Sequence, residues 1–63
     1  MTQKELLYIE DAISHEKIIS DMITQSLNFI EDENLASFLK GELKKHEALK
    51  NKMMKFLKEC AND

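Results

Sequence analysis

Glu16, Glu42 and His46 are the residues of this 63-residue chain whose types and positions bear most directly on chemistry. Each falls on the helical period of an otherwise apolar face. At 100° per residue, Glu16 points into a stripe of Ile9, Ile13, Ile19, Ile23 and Leu27, with Ser20 beside it. Glu42 and His46 point into a stripe of Leu35, Phe38, Leu39, Leu49 and Met53. A carboxylate drawn out of water must be protonated, paired or bound to a metal. Carboxylate oxygens and imidazole nitrogens suit iron, manganese or zinc, so Glu16, Glu42 and His46 are the candidate metal ligands. Two structural readings stand beside that one. Glu16 and His46 can bond each other as a polar layer that sets register, or Glu42 and His46 can sit at the stripe edge and reach water.

The remaining reactive side chains fit plainer roles. His15 lies about 100° from Glu16, on a flank where surface or interface placement is expected. Met22, Met53 and Met54 suit adaptable core filling, and Tyr8 suits packing. Cys60 is the only cysteine, which excludes an internal disulfide and suits a reducing compartment. With no flanking Cys and no basic pocket evident from the sequence, it reads as a buried, inert thiol. One glycine cannot build a phosphate-cradling loop, and neither a Gly-x-Ser-x-Gly elbow nor a His-Glu-x-x-His pair is present. No catalysis and no cofactor are expected, with ferroxidase-like chemistry the one enzymatic alternative.

The elements that position these residues are set by caps and periodicity. Thr2 and Glu5 form a Thr-x-x-Glu capping box ahead of an apolar repeat of Leu6, Ile9, Ile13, Ile23, Leu27 and Ile30. This spacing predicts one helix over about 3–31. Glu31-Asp32-Glu33-Asn34 supplies the turn, with Asp32 or Asn34 able to cap a second helix. Leu35, Leu39, Leu49, Met53 and Phe56, flanked by Phe38 and Leu57, predict that helix over about 34–60, ahead of a fraying Ala-Asn-Asp tail. Gly41 inside it costs about 1 kcal/mol relative to Ala, which points to close approach by a neighbouring helix or to a slight bend, the former favoured.

A short link between two long helices makes them antiparallel neighbours in a single-domain, all-α hairpin. Folding about Glu31–Asp32 brings Glu16 level with His46, and Glu42 about one turn nearer the loop. Charge supports the pairing. Residues 1–32 carry two Lys against seven acids, and residues 33–63 carry seven Lys against five, for a net −3. That balance, with no Arg, disfavours nucleic acid. No apolar run approaches the roughly 18 residues of a membrane span, and the first residues lack a secretory signal. The expectation is a soluble cytoplasmic protein.

A chain this short buries little of itself. The first helix also carries Leu7, Ile18, Met22 and Phe29 on its far side, and Leu43 and Met54 widen the second helix's stripe. Leaving these in water forgoes roughly 25 cal/mol per Å². A homodimer closing into a four-helix bundle is the simplest remedy, and the far stripe suits a higher oligomer or docking of a larger partner. Two copies of Glu16, Glu42 and His46 would hold four carboxylates and two imidazoles, the inventory of di-iron carboxylate bundles.

Thr2-Gln-Lys-Glu-Leu-Leu7, His15-Glu16-Lys17 with Ile18-Ile19, Asn34-Leu35 before Phe38-Leu39, and Met53-Met54-Lys55-Phe56 together resemble the Coat F domain of spore-forming bacteria, a ferritin-like helical unit. That resemblance covers nearly the whole chain, although an aromatic ending after a Gly is absent. It implies a small structural protein associated with a spore coat and partnered by itself and by other coat or assembly proteins. The layout is also similar to encapsulated ferritins, which build iron sites between two-helix subunits. Glu16 matches their first-helix Glu ligand. His46 stands where they have the second Glu, and Leu49 where they have the ligand His, so Glu16 alone carries over.

Overall fold

A computed structural model describes residues 1–61 and shows an α-helical hairpin of two long elements, α1 (Gln3–Leu27) and α2 (Glu33–Ala61). Its principal extents are 47 × 15 × 12 Å. Among the described residues there is no strand, and no helix is long and apolar enough to cross a membrane. Of the Ala-Asn-Asp tail expected to fray, Ala61 still belongs to α2, one residue past the expected end, and Asn62 and Asp63 lie outside the described residues.

Thr2 starts α1 from an extended backbone (φ −76°, ψ 163°). The Glu5 N–H donates to Thr2 Oγ1 at 3.1 Å, and the Thr2 N–H donates to Glu5 Oε1 at 2.9 Å. These reciprocal bonds satisfy two N–H groups that a helix start otherwise leaves open. The bonds with Thr2 favour the ionised carboxylate and hold the Glu5 carboxyl below its ordinary pKa.

Helix α1 ends at Leu27, four residues short of the 31 expected from periodicity. Its last turns contain hydroxyls that bond backward: Thr24 Oγ1 donates to the Ser20 carbonyl, and Ser26 Oγ to the Met22 carbonyl, each at 2.8 Å. Such bonds compete with regular helix geometry. The Asn28 and Phe29 N–H groups then reach only three residues back, to the Gln25 and Ser26 carbonyls at 3.1 and 3.0 Å, the tight pattern that closes a helix. The connection therefore occupies 28–32 instead of 31–34. Of the two candidate caps, Asp32 acts: its Oδ1 accepts from the Leu35 N–H at 2.9 Å. Glu33 in the first turn and Lys58 in the last complement the dipole of α2.

The half-buried positions of α1 are Leu6, Ile9, Ala12, Ile13, Glu16, Ile19, Ile23 and Leu27, and Ser20 is more deeply buried. Those of α2 are Ala36, Leu39, Glu42, Leu43, His46, Lys50, Met53, Leu57 and Cys60. Within each set runs a strict seven-residue repeat: 6, 13, 20, 27 with 9, 16, 23 in α1, and 36, 43, 50, 57 with 39, 46, 53, 60 in α2. This is the two-helix seam of a coiled coil. The α2 seam thus lies to one side of the stripe expected from sequence. Leu35, Phe38, Leu49 and Phe56 are exposed, while Ala36, Leu43, Lys50 and Cys60 turn inward. Lys50 fits because its aliphatic stem can lie along the seam while its ammonium reaches water.

No hydrophobic side chain among the described residues is fully buried. Leu7, Ile18, Met22 and Phe29 are exposed, as the second α1 stripe predicted, and so are Tyr8, for which packing was expected, and Met54, which like Met22 was expected to fill the core. Gly41 departs from expectation: a Cβ built there meets nothing within 4 Å, so no helix of this hairpin approaches it.

The first turn of α1 and Gly41 each give a measurable expectation. NMR titration should place the Glu5 midpoint below 4.5. The capping bonds then stabilise the first turn at pH values above the unfolded midpoint and are lost as pH falls through the folded one; Thr2→Ala should return the midpoint toward 4.5. Gly41→Ala should stabilise the fold by about 1 kcal/mol in urea denaturation; a loss instead would reveal a second chain passing close at that position.

Candidate functional site: a glutamate–histidine layer in the seam

Glu16 and His46 occupy equivalent seam positions at mid-height of the hairpin. His46 Nδ1 lies 2.5 Å from Glu16 Oε2. When the carboxylate is ionised it only accepts, and the imidazole then donates through Nδ1–H. The Glu16 side chain is 14% exposed and that of His46 29%, a site withdrawn from bulk water but open at one edge. With Nδ1 engaged, a neutral His46 keeps its remaining lone pair on Nε2. A carboxylate orienting one imidazole nitrogen while the other stays available is the arrangement that supports metal-bound histidines.

Glu42 does not join this pair. Its Oε1 takes the Lys45 ammonium at 3.3 Å, and its side chain is 31% exposed. The expected convergence of three polar residues is therefore a bonded pair with a third carboxylate one turn away on the flank. Among the described residues no group of three or more His, Cys, Asp or Glu is placed to hold a metal ion. Within one chain the candidate ligand set is thus Glu16 and His46.

Ser20, one turn from Glu16, is 7% exposed and the most buried residue described. Its Oγ has no hydrogen-bond partner. It hence forms no hydrogen-bonded relay with His46. The helical period set Ser20 beside Glu16 without showing that it would be the most buried residue of the seam. Its seven-residue spacing from Ile13 and Leu27 was the available signal.

His15 is exposed, as its flank position implied. Cys60 is half-buried at the open end, where it borders a shallow groove with Met1, Leu6 and Leu57. Comparison of the chain with protein-family models, curated proteins and solved structures finds no match.

Removing one partner of the pair leaves the other desolvated and unbonded. Glu16→Leu and His46→Leu should each destabilise by about 1–2 kcal/mol, whereas the double variant should be closer to wild type than either single. A urea double-mutant cycle at fixed chain concentration checks this. Additivity within about 0.5 kcal/mol would mean that the bond carries no coupling.

Proposed function

We propose that this chain is a non-catalytic, self-associating hairpin whose role is structural: two copies close into a four-helix bundle that serves an assembly. The observation that carries this reading is that no hydrophobic side chain among the described residues is fully buried, although large apolar residues line both helices. A surface of that kind is an association site or a liability. Identical copies meet most simply through a two-fold interface. The resemblance to the Coat F domain gives the assembly a specific form, a spore coat built with other coat proteins, and the ferritin-like bundle is the architecture it implies. In this reading Glu16 and His46 act as a polar layer that fixes which hairpin registers are allowed.

A second reading is favoured by the Glu16–His46 bond itself. Its carboxylate-oriented imidazole could belong to an iron, manganese or zinc centre completed by a second copy, with Glu42 recruited from the flank. Because one chain brings only two of these groups together, that centre requires the dimer.

Native mass measurement across a concentration series, with elemental analysis of the same metal-supplemented sample, tests both. The structural reading expects a metal-free dimer at micromolar concentration, and a folded monomer throughout the series would overturn it. Near-stoichiometric iron, manganese or zinc, lost on Glu16→Ala, would replace it with the second reading.

A further inference from the structure

The hairpin has two broad faces, and they differ in chemistry. At the open end Glu5, Ile9 and Phe56 line one groove, while Gln3, Leu6 and Leu57 line another. Glu5 and Phe56 therefore mark one face and Gln3 the other. Seven-residue steps from Gln3 along α1 give Glu10, Lys17 and Thr24, and the matching α2 positions are Lys40, Glu47 and Met54. That face is mostly polar, with Met54 as its one large apolar residue and Leu7 exposed at the next position outward.

The Glu5–Phe56 face is different. Steps of seven give Ala12, Ile19 and Ser26 on α1, with Leu35, Glu42 and Leu49 on α2. The next positions outward on the same side add Tyr8, His15 and Met22 on α1, with Phe29 in the link just past its end, and Phe38, Lys45, Lys52 and Glu59 on α2. Tyr8, Met22, Phe29, Leu35, Phe38, Leu49 and Phe56 are each 46–85% exposed. Four of these seven are aromatic, and aromatic side chains bury about 150–250 Å² each. Together the seven leave on the order of 800 Å² of apolar surface, what a standard interface takes from each partner.

The Glu16–His46 bond sets levels along the hairpin: residues whose numbers sum to about 62 lie at one height. Tyr8 then lies near the height of Phe56, Ala12 near Leu49, Met22 near Phe38 and Phe29 near Leu35. Consider two hairpins stacked on this face with loops at the same end, so that α1 of each lies on α2 of the other. Every one of these residues then meets an apolar residue of the second copy. With loops at opposite ends, Phe29 would fall at the height of Gln3 and Leu49 opposite Glu42. The charge of the halves agrees, since two Lys against seven acids would lie on seven Lys against five; the reverse stacking sets the acidic halves together.

We infer that the Tyr8–Met22–Phe29 and Leu35–Phe38–Leu49–Phe56 face is the docking surface for a second copy of this chain, stacked with both loops at one end. This rests on the self-association proposed above and specifies its surface and orientation. The face brings the edge of the seam that carries Glu16, His46 and Glu42 toward the two-fold axis, whereas Ile18 stays outside the contact.

Native mass and pulsed dipolar spectroscopy test it on the full chain. Phe38→Lys with Leu49→Lys should weaken the dimer at least tenfold, and Ile18→Lys should leave it unchanged. A nitroxide placed by Glu31→Cys in a Cys60→Ala background should report a loop-to-loop distance under half the 47 Å length. That second measurement leaves the face intact, so it stands even where a lysine variant fails to fold. Loss of the dimer in Ile18→Lys, or its persistence in the double variant, overturns the face while leaving self-association standing. A loop-to-loop distance near the full length overturns the orientation alone. A monomeric wild-type chain overturns this inference and the self-association beneath it.

Discussion

A pair of helices shares a single line of contact, and a single line cannot take whole side chains out of water. Each seam residue of this hairpin has one neighbouring helix and open solvent beyond it. Leu6, Ile9, Ile13, Ile23, Leu39, Met53 and Leu57 accordingly reach only half-burial, although their spacing suits the seam well. Ser20 is buried because a small side chain at a close contact is covered by its own helix and the one opposite. The hydrophobic effect scales with area removed from water, so the seam brings the helices together without supplying the interior that a domain of this length needs. The faces left open carry the surface from which such an interior could be completed.

That shortage gives the polar layer its leverage. In a deep core a Glu–His pair is one interaction among many, and an apolar replacement often does as well. Here the mid-height of the seam has few competitors. A register slip that separated Glu16 from His46 would leave a carboxylate and an imidazole half-desolvated without each other, while the aliphatic residues on either side would lose little. The pair thus contributes more to the choice of register than to the depth of the energy well. Asp32 and the Thr2–Glu5 box act in the same direction, since each marks where a helix begins.

Much of this was legible in the sequence, and the gaps have physical causes. The capping box, the two helices, their antiparallel pairing and the meeting of Glu16 with His46 could all be read from cap chemistry and the 3–4 repeat. The early end of α1 could not, because apolar Ile30 continues the period past Leu27; the contrary signal lay in Thr24, Ser26 and Asn28, whose side chains favour local bonds over helix. The inner face of α2 was displaced because Leu35, Phe38, Leu49 and Phe56 outweigh Ala36, Lys50 and Cys60 in hydrophobic bulk, so that Leu43 read only as the edge of the stripe. Weight of hydrophobicity drew the stripe toward Leu35, Leu49 and Phe56, while antiparallel packing chose the neighbouring line of Ala36, Leu43, Lys50 and Leu57, which follows the same seven-residue step. The same displacement moved Glu42 to the flank beside Lys45.

The seven-residue step has a consequence for how such a chain can change length. One residue inserted into α1 between Glu16 and Leu27 would rotate everything beyond it by about 100° and carry Glu16 away from His46. Adding seven would restore the face, yet it would shift heights by about 10 Å unless α2 gained seven opposite them. Insertions and deletions in the helices are therefore confined to matched blocks, one from each arm at the same height. The link at 28–32, bounded by Leu27 and the Asp32 cap, is the place where single residues can come and go.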